Sequence, residues 1–182
     1  MARVRFVEKE DLPSQHQHIY NEIAASRGGV QPNFKALLNS PVATSKMAVL
    51  GGYVRFETPL PPRVKALAVL TTAREIDGDY VWTVNQPQAK SAGLDDQIIS
   101  AIRERQAPRG LASEDAVIVQ FTQELLRQHR IPDATFQAVQ QRLGDAGVID
   151  LLLLIGYYHG LSHTLSALEV MPETPSALSN RS

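Results

Sequence analysis

Cysteine is absent from the 182-residue chain. Disulfides are therefore excluded, as is any reaction in which a thiolate attacks a peroxide and a second thiol resolves it. An excess of either charge is also missing: 18 Lys and Arg against 19 Asp and Glu leave a formal net charge of -1. No basic block with interleaved aromatics occurs, so neither nucleic acid nor a membrane is an expected partner. The longest apolar run, 148–155, is broken by Asp150 and falls far short of the roughly 20 residues that span a bilayer. The opening MARVRFVEKEDLP has no apolar stretch of the secretory type, and a soluble cytoplasmic protein is expected. No segment alternates cleanly with period two, so no strand is predicted. Gly28-Gly29 and Gly51-Gly52 do not follow strands, which disfavours a phosphate-binding loop. There is no HExxH motif and no defensible Ser-His-Asp order.

What is present is helical pattern. An apolar fraction of 43% is ordinary for a globular protein, and the length suits one domain. The expected organisation is an extended arm over 1–11, one helical domain over 12–171 and a Pro/Ser-rich flexible tail over 172–182. Helices are predicted from Leu12-Pro13-Ser14 to about Ser26, from Pro32 to Asn39, and from Pro41 to about Phe56. Gly51-Gly52 inside the third costs roughly 1 kcal/mol per glycine relative to alanine, which points to a close approach by another helix or a ligand. Further helices are predicted from Leu94-Asp95-Asp96 to about Arg105, over 114–129 with Ser113 as N-cap, and over 134–143 with Asp133 as cap. Gln106 to Leu111, with Pro108 and Gly110, reads as a loop. After Gly144-Asp145 a last long helix runs from about Ala146 to Leu168.

The segment from Leu60 to Gly93 organises the rest. Pro61 and Pro62 open a helix through Ile76, with Val64, Leu67, Ala68 and Leu70 at helical spacing. Asp77-Gly78-Asp79 breaks it, with Asp77 or Asp79 as a possible N-cap. Tyr80 to Ala92 forms the next helix, ended by Gly93. Pro87 inside it removes the bond to the Thr83 carbonyl and predicts a bend beside Tyr80, Trp82 and Asn85.

Leu60-Pro61-Pro62-Arg63, Leu67, Leu70, Ala73-Arg74, Tyr80, Trp82, Ala89 and Ala92-Gly93 resemble, in order and spacing, the signature of the carboxymuconolactone decarboxylase and alkylhydroperoxidase D superfamily. That signature is an LPPR helix, a turn, and a helix bearing CxxC-xxx-H or YEWxxH. Pro32 to Leu37 with Ser40-Pro41, Ile131 to Phe136, and Gly156-Tyr157-Tyr158 extend the similarity to roughly 32–170. The resemblance implies an all-α, alkylhydroperoxidase D-like helical bundle that assembles as a homo-oligomer (dimer, trimer or hexamer). The family's acidic residue falls on Ala66, its first cysteine on Gly78, its second cysteine or glutamate on Val81, and its histidine on Asn85. None of these side chains titrates, so the usual proton shuttle is gone.

The remaining candidates lie on two helices. Leu152, Gly156, His159, His163 and Ala167 share one face of the last helix. Two histidines one turn apart could grip a metal, but no further ligand is evident, so no metal and no cofactor is expected. They could equally serve as general acid or base, or pack in a core or interface. His16, His18 and His129 read as surface or structural residues. Trp82, Tyr80, Tyr157 and Asn85 suit a flat or lactone-like molecule bound by stacking and hydrogen bonds, with Asn85 holding an enolate oxygen. Arg74, Arg63 or Arg55 could pair with a substrate carboxylate. The expected function is a cofactor-independent lyase (decarboxylase-like) or isomerase acting on a cyclic or lactone-like organic acid. In it His163 or His159 moves the proton, with Asn85, Trp82, Tyr80, Arg74 and Tyr157 positioning substrate. The alternative is a non-catalytic oligomeric binding protein that kept the fold and lost the active site.

Overall fold

Among the residues described in the computed structural model, 2–106, 111–174 and 178, the chain forms eight α-helices and no strand. These are α1 (Gln17–Arg27), α2 (Pro32–Leu37), α3 (Pro41–Gly52), α4 (Pro62–Glu75), α5 (Asp79–Ser91), α6 (Asp96–Arg103), α7 (Ser113–Gln128) and α8 (Asp133–Ala167). Short 3-10 turns, Lys9–Asp11 and Ser14–His16, precede α1, and a π-helical turn, Tyr53–Glu57, continues α3. Residues 107–110 of the expected loop (with Pro108 and Gly110), and 175–177 and 179–182 of the expected tail, lie outside the described residues.

The breaks follow backbone chemistry. Proline stands in the first turn of α2, α3 and α4, where its missing N–H costs nothing. Gly28 closes α1 at φ 70, and Gly144, also at φ 70, interrupts α8 between its two halves; both use the left-handed region that glycine enters without strain. Capping differs from expectation by a residue in several places. Gly78, not Asp77 or Asp79, occupies the N-cap of α5. Asp77 instead adopts φ 50, its carboxylate bound by Arg74 and Arg105. Ala112 and Pro132 cap α7 and α8, one residue before Ser113 and Asp133. Asp95 caps α6 as its sequence suggests, accepting from the Ile98 N–H at 2.8 Å.

α4 is the centre. Val64, Leu67, Ala68, Val69, Leu70, Thr71, Thr72 and Ala73 are all buried, as a helix wrapped on every side requires. It packs against α5, α6, α7 and α8, and Trp82, Phe121, Leu151, Leu154 and Ile155 complete this main core. A second, smaller apolar cluster lies at the N-terminal end: Val7, Leu12, Ile19, Ile23, Phe34, Leu38 and Ala48. Tyr80 ties the two together. Its hydroxyl donates to Asn33 Oδ1 at 3.1 Å and accepts from the Asn33 N–H at 3.4 Å. Among the described residues, no helix is long and apolar enough to cross a membrane.

Candidate functional site

Two adjoining cavities have volumes of about 280 Å³ and 320 Å³, and the second lies where the N-terminal layer meets the bundle. Arg55, Phe56, Asn85, Gln88 and Tyr158 line both. The first is otherwise walled by Val54, Pro62, Lys65, Ala66, Val69, Ala89, Ala92 and Leu154, from the π-turn, α4, α5 and α8. The second takes Arg27, Gln31, Asn33 and Phe34 from the N-terminal layer, Tyr80, Val81 and Val84 from α5, and Tyr157 and Leu161 from α8.

The shared wall is polar. Asn85 Nδ2 donates to the Val81 carbonyl at 2.8 Å, and its Oδ1 accepts from the Tyr158 hydroxyl at 3.5 Å. Burial pushes the Tyr158 phenol up to about 12, and burial likewise raises Tyr157 and Tyr80. All three are neutral hydrogen-bonding groups near neutral pH. Tyr157 fits because α3 offers no side chain at Gly51: a Cβ there would stand 2.3 Å from the Tyr157 hydroxyl. The close approach expected of Gly51-Gly52 is thus made at Gly51, against a cavity residue.

Three cations complete the lining. Arg27 Nη1 donates to Ser26 Oγ at 2.6 Å, and Nη2 donates to the Ala48 carbonyl at 2.8 Å. Its guanidinium carbon lies 4.7 Å from the centre of the Phe34 ring. Lys65 Nζ donates to the Arg55 carbonyl at 3.0 Å. Burial lowers the pKa of both Arg27 and Lys65, and the Arg55 charge adds to the effect at Arg27. Among the described residues, no carboxylate or imidazole lines either cavity.

Asn85, Tyr80 and Tyr157 therefore meet at the second cavity. His159 and His163 do not join them. The cavity-facing residues of α8 are Leu154, Tyr157, Tyr158 and Leu161; one further step of about 100° turns His159 away, and His163 stacks over the same outer face. The two rings lie 4.5 Å apart, with His163 Nδ1 3.1 Å from the His159 carbonyl. His159 is half-buried and His163 exposed. Burial, and then the charges of His163 and His129, lower the His159 pKa. Among the described residues, no group of three or more His, Asp or Glu is placed to hold a metal.

Trp82 is also displaced from its expected role. The cavity face of α5 runs through Val81, Val84, Asn85 and Gln88, and Trp82, one residue round from Val81, is wholly buried in the main core. Its indole N–H has no partner. Arg74 lies at the far end of α4, where it binds the Arg103 carbonyl and Asp77. Arg63 pairs with buried Asp115 at 2.5 Å. Only Arg55, of the three arginines considered as carboxylate partners, reaches the cavities. Arg27 and Lys65 have no sequence signature: each is a lone cation that acquires a role only through contacts distant in the chain.

Of the positions where the superfamily pattern places its chemistry, Ala66, Val81 and Asn85 line the cavities. Gly78 does not: a Cβ there would stand 2.7 Å from Ser162 Oγ and 2.8 Å from Ser162 Cβ. Ser162 is buried, and its hydroxyl has no partner.

No protein-family model and no curated protein matches the chain. Solved structures do. An alkylhydroperoxidase AhpD core, an uncharacterized peroxidase-related protein from Ralstonia eutropha, superposes with a TM-score of 0.78 at 12% identity, over 94% of this chain and 92% of that one. The debrominase Bmp8 in its apo form gives 0.74 at 12% identity, over 93% and 92%. A variant of Bmp8 in complex with 2,3,4-tribromopyrrole gives 0.72 at 12% identity, over 91% and 89%. The chain has the alkylhydroperoxidase D-like fold, as its LPPR helix and the helix after it led one to expect.

Proposed function

We propose that the paired cavities are the active site of a cofactor-independent lyase of the decarboxylase kind, acting on a ring-bearing organic acid. The observation that carries this reading is the lining itself: among the described residues, three cations, three neutral phenols, two asparagines, and no carboxylate or imidazole. An isomerase of the proton-shifting type must first remove a C–H proton; among the described residues the lining offers no carboxylate or imidazole for this, and the amine present, Lys65, is tied by its Nζ to the Arg55 carbonyl. Decarboxylation needs no such base. The C–C bond electrons move onto a carbonyl or lactone oxygen, CO₂ departs, and the resulting enolate takes up a proton. Asn85 and the nearby cations favour that oxyanion, and the Tyr158 hydroxyl, which donates to Asn85 Oδ1 at 3.5 Å, supplies the proton. In this reading the histidine pair is not the acid/base. A ring-bearing ligand also fits the fold: Bmp8 of the same fold was solved with a small halogenated ring.

The test is release of CO₂ from a panel of β-keto ring acids and α,β-unsaturated γ-carboxylactones, followed by coupled spectrophotometry. Tyr158→Phe and Asn85→Ala are expected to lower kcat on the order of 10²-fold or more, with a double His159→Gln/His163→Gln variant near the parent rate. Loss of turnover in the double histidine variant with Tyr158→Phe unaffected would return the proton work to the histidines.

A second reading is favoured by the replacement of positions 66, 78, 81 and 85 by side chains that do not titrate. In it the cavities bind an organic acid without converting it, and affinity without CO₂ release would support it. In either reading the protein works as a homo-oligomer, which the exposed apolar side chains of Val42, Val49, Phe56 and Ile149 support. Sedimentation equilibrium distinguishes a dimer, trimer or hexamer from a monomer.

A further inference from the structure

Arg27 is a partly desolvated cation. It is half-buried, its Nε is buried without a partner, and its Nη groups are spent on the Ser26 hydroxyl and the Ala48 carbonyl. The nearest like charge, Arg55, shares its cavity. Glu22 and Glu57 line a separate groove on the other side of Arg27, yet among the described residues neither forms an ion pair with it. A desolvated cation without a counter-ion is costly, and a second cation beside it adds to the cost. The side chain is nevertheless held still, gripped at both Nη groups and stacked on Phe34. Fixed, unneutralised guanidiniums facing one cavity are what an anion-binding site requires before its ligand arrives.

The two cavities differ in the same sense. The second collects Arg27, Arg55, Asn33 and the phenols of Tyr80 and Tyr157. The first shares Arg55 and has Lys65, whose Nζ is engaged by the Arg55 carbonyl at 3.0 Å, but is otherwise walled mainly by aliphatic side chains, among them Val54, Ala66, Val69 and Leu154. We infer that the second cavity is a carboxylate subsite, in which Arg27 and Arg55 hold a carboxylate that is not the one lost as CO₂, on an organic acid whose ring lies in the first cavity beside Asn85 and Tyr158. This rests on the small-molecule site proposed above and adds its polarity: which end of the ligand enters where, and which residues choose an acid over a neutral molecule. The first cavity, at about 280 Å³, has room for a ring with a short linker. With that carboxylate anchored across the shared wall, the ring's substituents are presented to Asn85.

The probes are phenylacetate, 3-phenylpropionate and their neutral amides, titrated into the full-length protein by calorimetry. The acids are expected to bind at least tenfold tighter than the matching amides. Arg27→Met and Arg55→Met are each expected to weaken acid binding tenfold or more while leaving amide affinity within twofold, with Arg27→Lys recovering part of the loss. Ala66→Phe, which fills the first cavity, weakens acid and amide alike. Thermal melts of each variant without ligand separate a lost contact from a lost fold, and Arg55→Gln serves as a second variant if Arg27→Met unfolds. Equal affinity for acid and amide, no effect of either arginine variant, or no binding of any acid up to millimolar concentration overturns the inference. Arginine-dependent binding without CO₂ release from any ring acid sinks the lyase instead and leaves the subsite standing.

Discussion

His159 sits half-buried on the outer face of α8, and burial together with the charges of His163 and His129 lowers its pKa. Its ordinary value is about 6.5. Because the folded state resists protonating it, the unfolded chain binds more protons once the pH drops below that value. Stability associated with His159 is complete above the unfolded pKa and is lost as the pH falls from there towards the lower folded pKa. His159→Gln is therefore expected to flatten the dependence of Tm on pH between about 7 and 5. A slope identical to the parent's would show that the imidazole is not held neutral by its surroundings. Residues on one local element are the ones whose role the sequence displays. Asn85, Tyr80 and Tyr157 reach the cavities from positions readable on two helices, and Gly51 announces a close contact through its cost to the helix. Trp82 and the histidines have the right spacing and the wrong side, because a helical repeat shows which residues share a face and not which face meets a cavity.

At the scale of elements, α4 and α7 are joined by a charged contact that no local pattern reveals. Arg127 Nε and Nη2 each lie 2.6 Å from a carboxylate oxygen of Glu75, whose side chain is only 6% exposed. Gln123 Nε2 adds a third contact at 3.4 Å. The fork geometry makes this pair stronger than an ordinary surface bridge, and the asymmetry of burial decides the result of cutting it. Arg127→Met strands a buried carboxylate and is expected to cost about 2 kcal/mol, read as a lower urea midpoint with unchanged m. Glu75→Gln, which keeps the shape and removes the charge, should cost less. If the two variants lose equal stability, the stranded carboxylate is not the cause. The turn between α4 and α5 makes a related point. Its existence is plain from Asp77-Gly78-Asp79, yet the reason for glycine at position 78 lies on α8, where Ser162 occupies the adjoining space. A contact between positions so far apart in sequence leaves no trace in either segment.

For the whole molecule, the two apolar clusters determine how the site behaves. The second cavity lies between them, and Arg27 and Phe34 on one side face Tyr80, Tyr157 and Tyr158 on the other. The helical class and the central LPPR helix are legible from periodicity and resemblance because both are local properties. The cavity is not, since it is a gap between layers whose separation depends on side chains far apart in the chain. Tyr80 spans that gap by its two hydrogen bonds to Asn33. Tyr80→Phe removes both, leaving the Asn33 side chain and N–H without that partner, at a cost of about 1 kcal/mol. If the layers open as separate cooperative units, the loss concentrates where the hydroxyl acted. Hydrogen exchange should accelerate across α1, α2 and α3 while α4 and α7 keep their parent protection. A ligand seated between the layers binds only the closed form, adding about 2.7 kcal/mol at a hundredfold excess over its Kd, and should slow that exchange again in the variant. Uniform acceleration over all helices would mean that the two clusters unfold as one body, and that the cavity has no opening motion of its own.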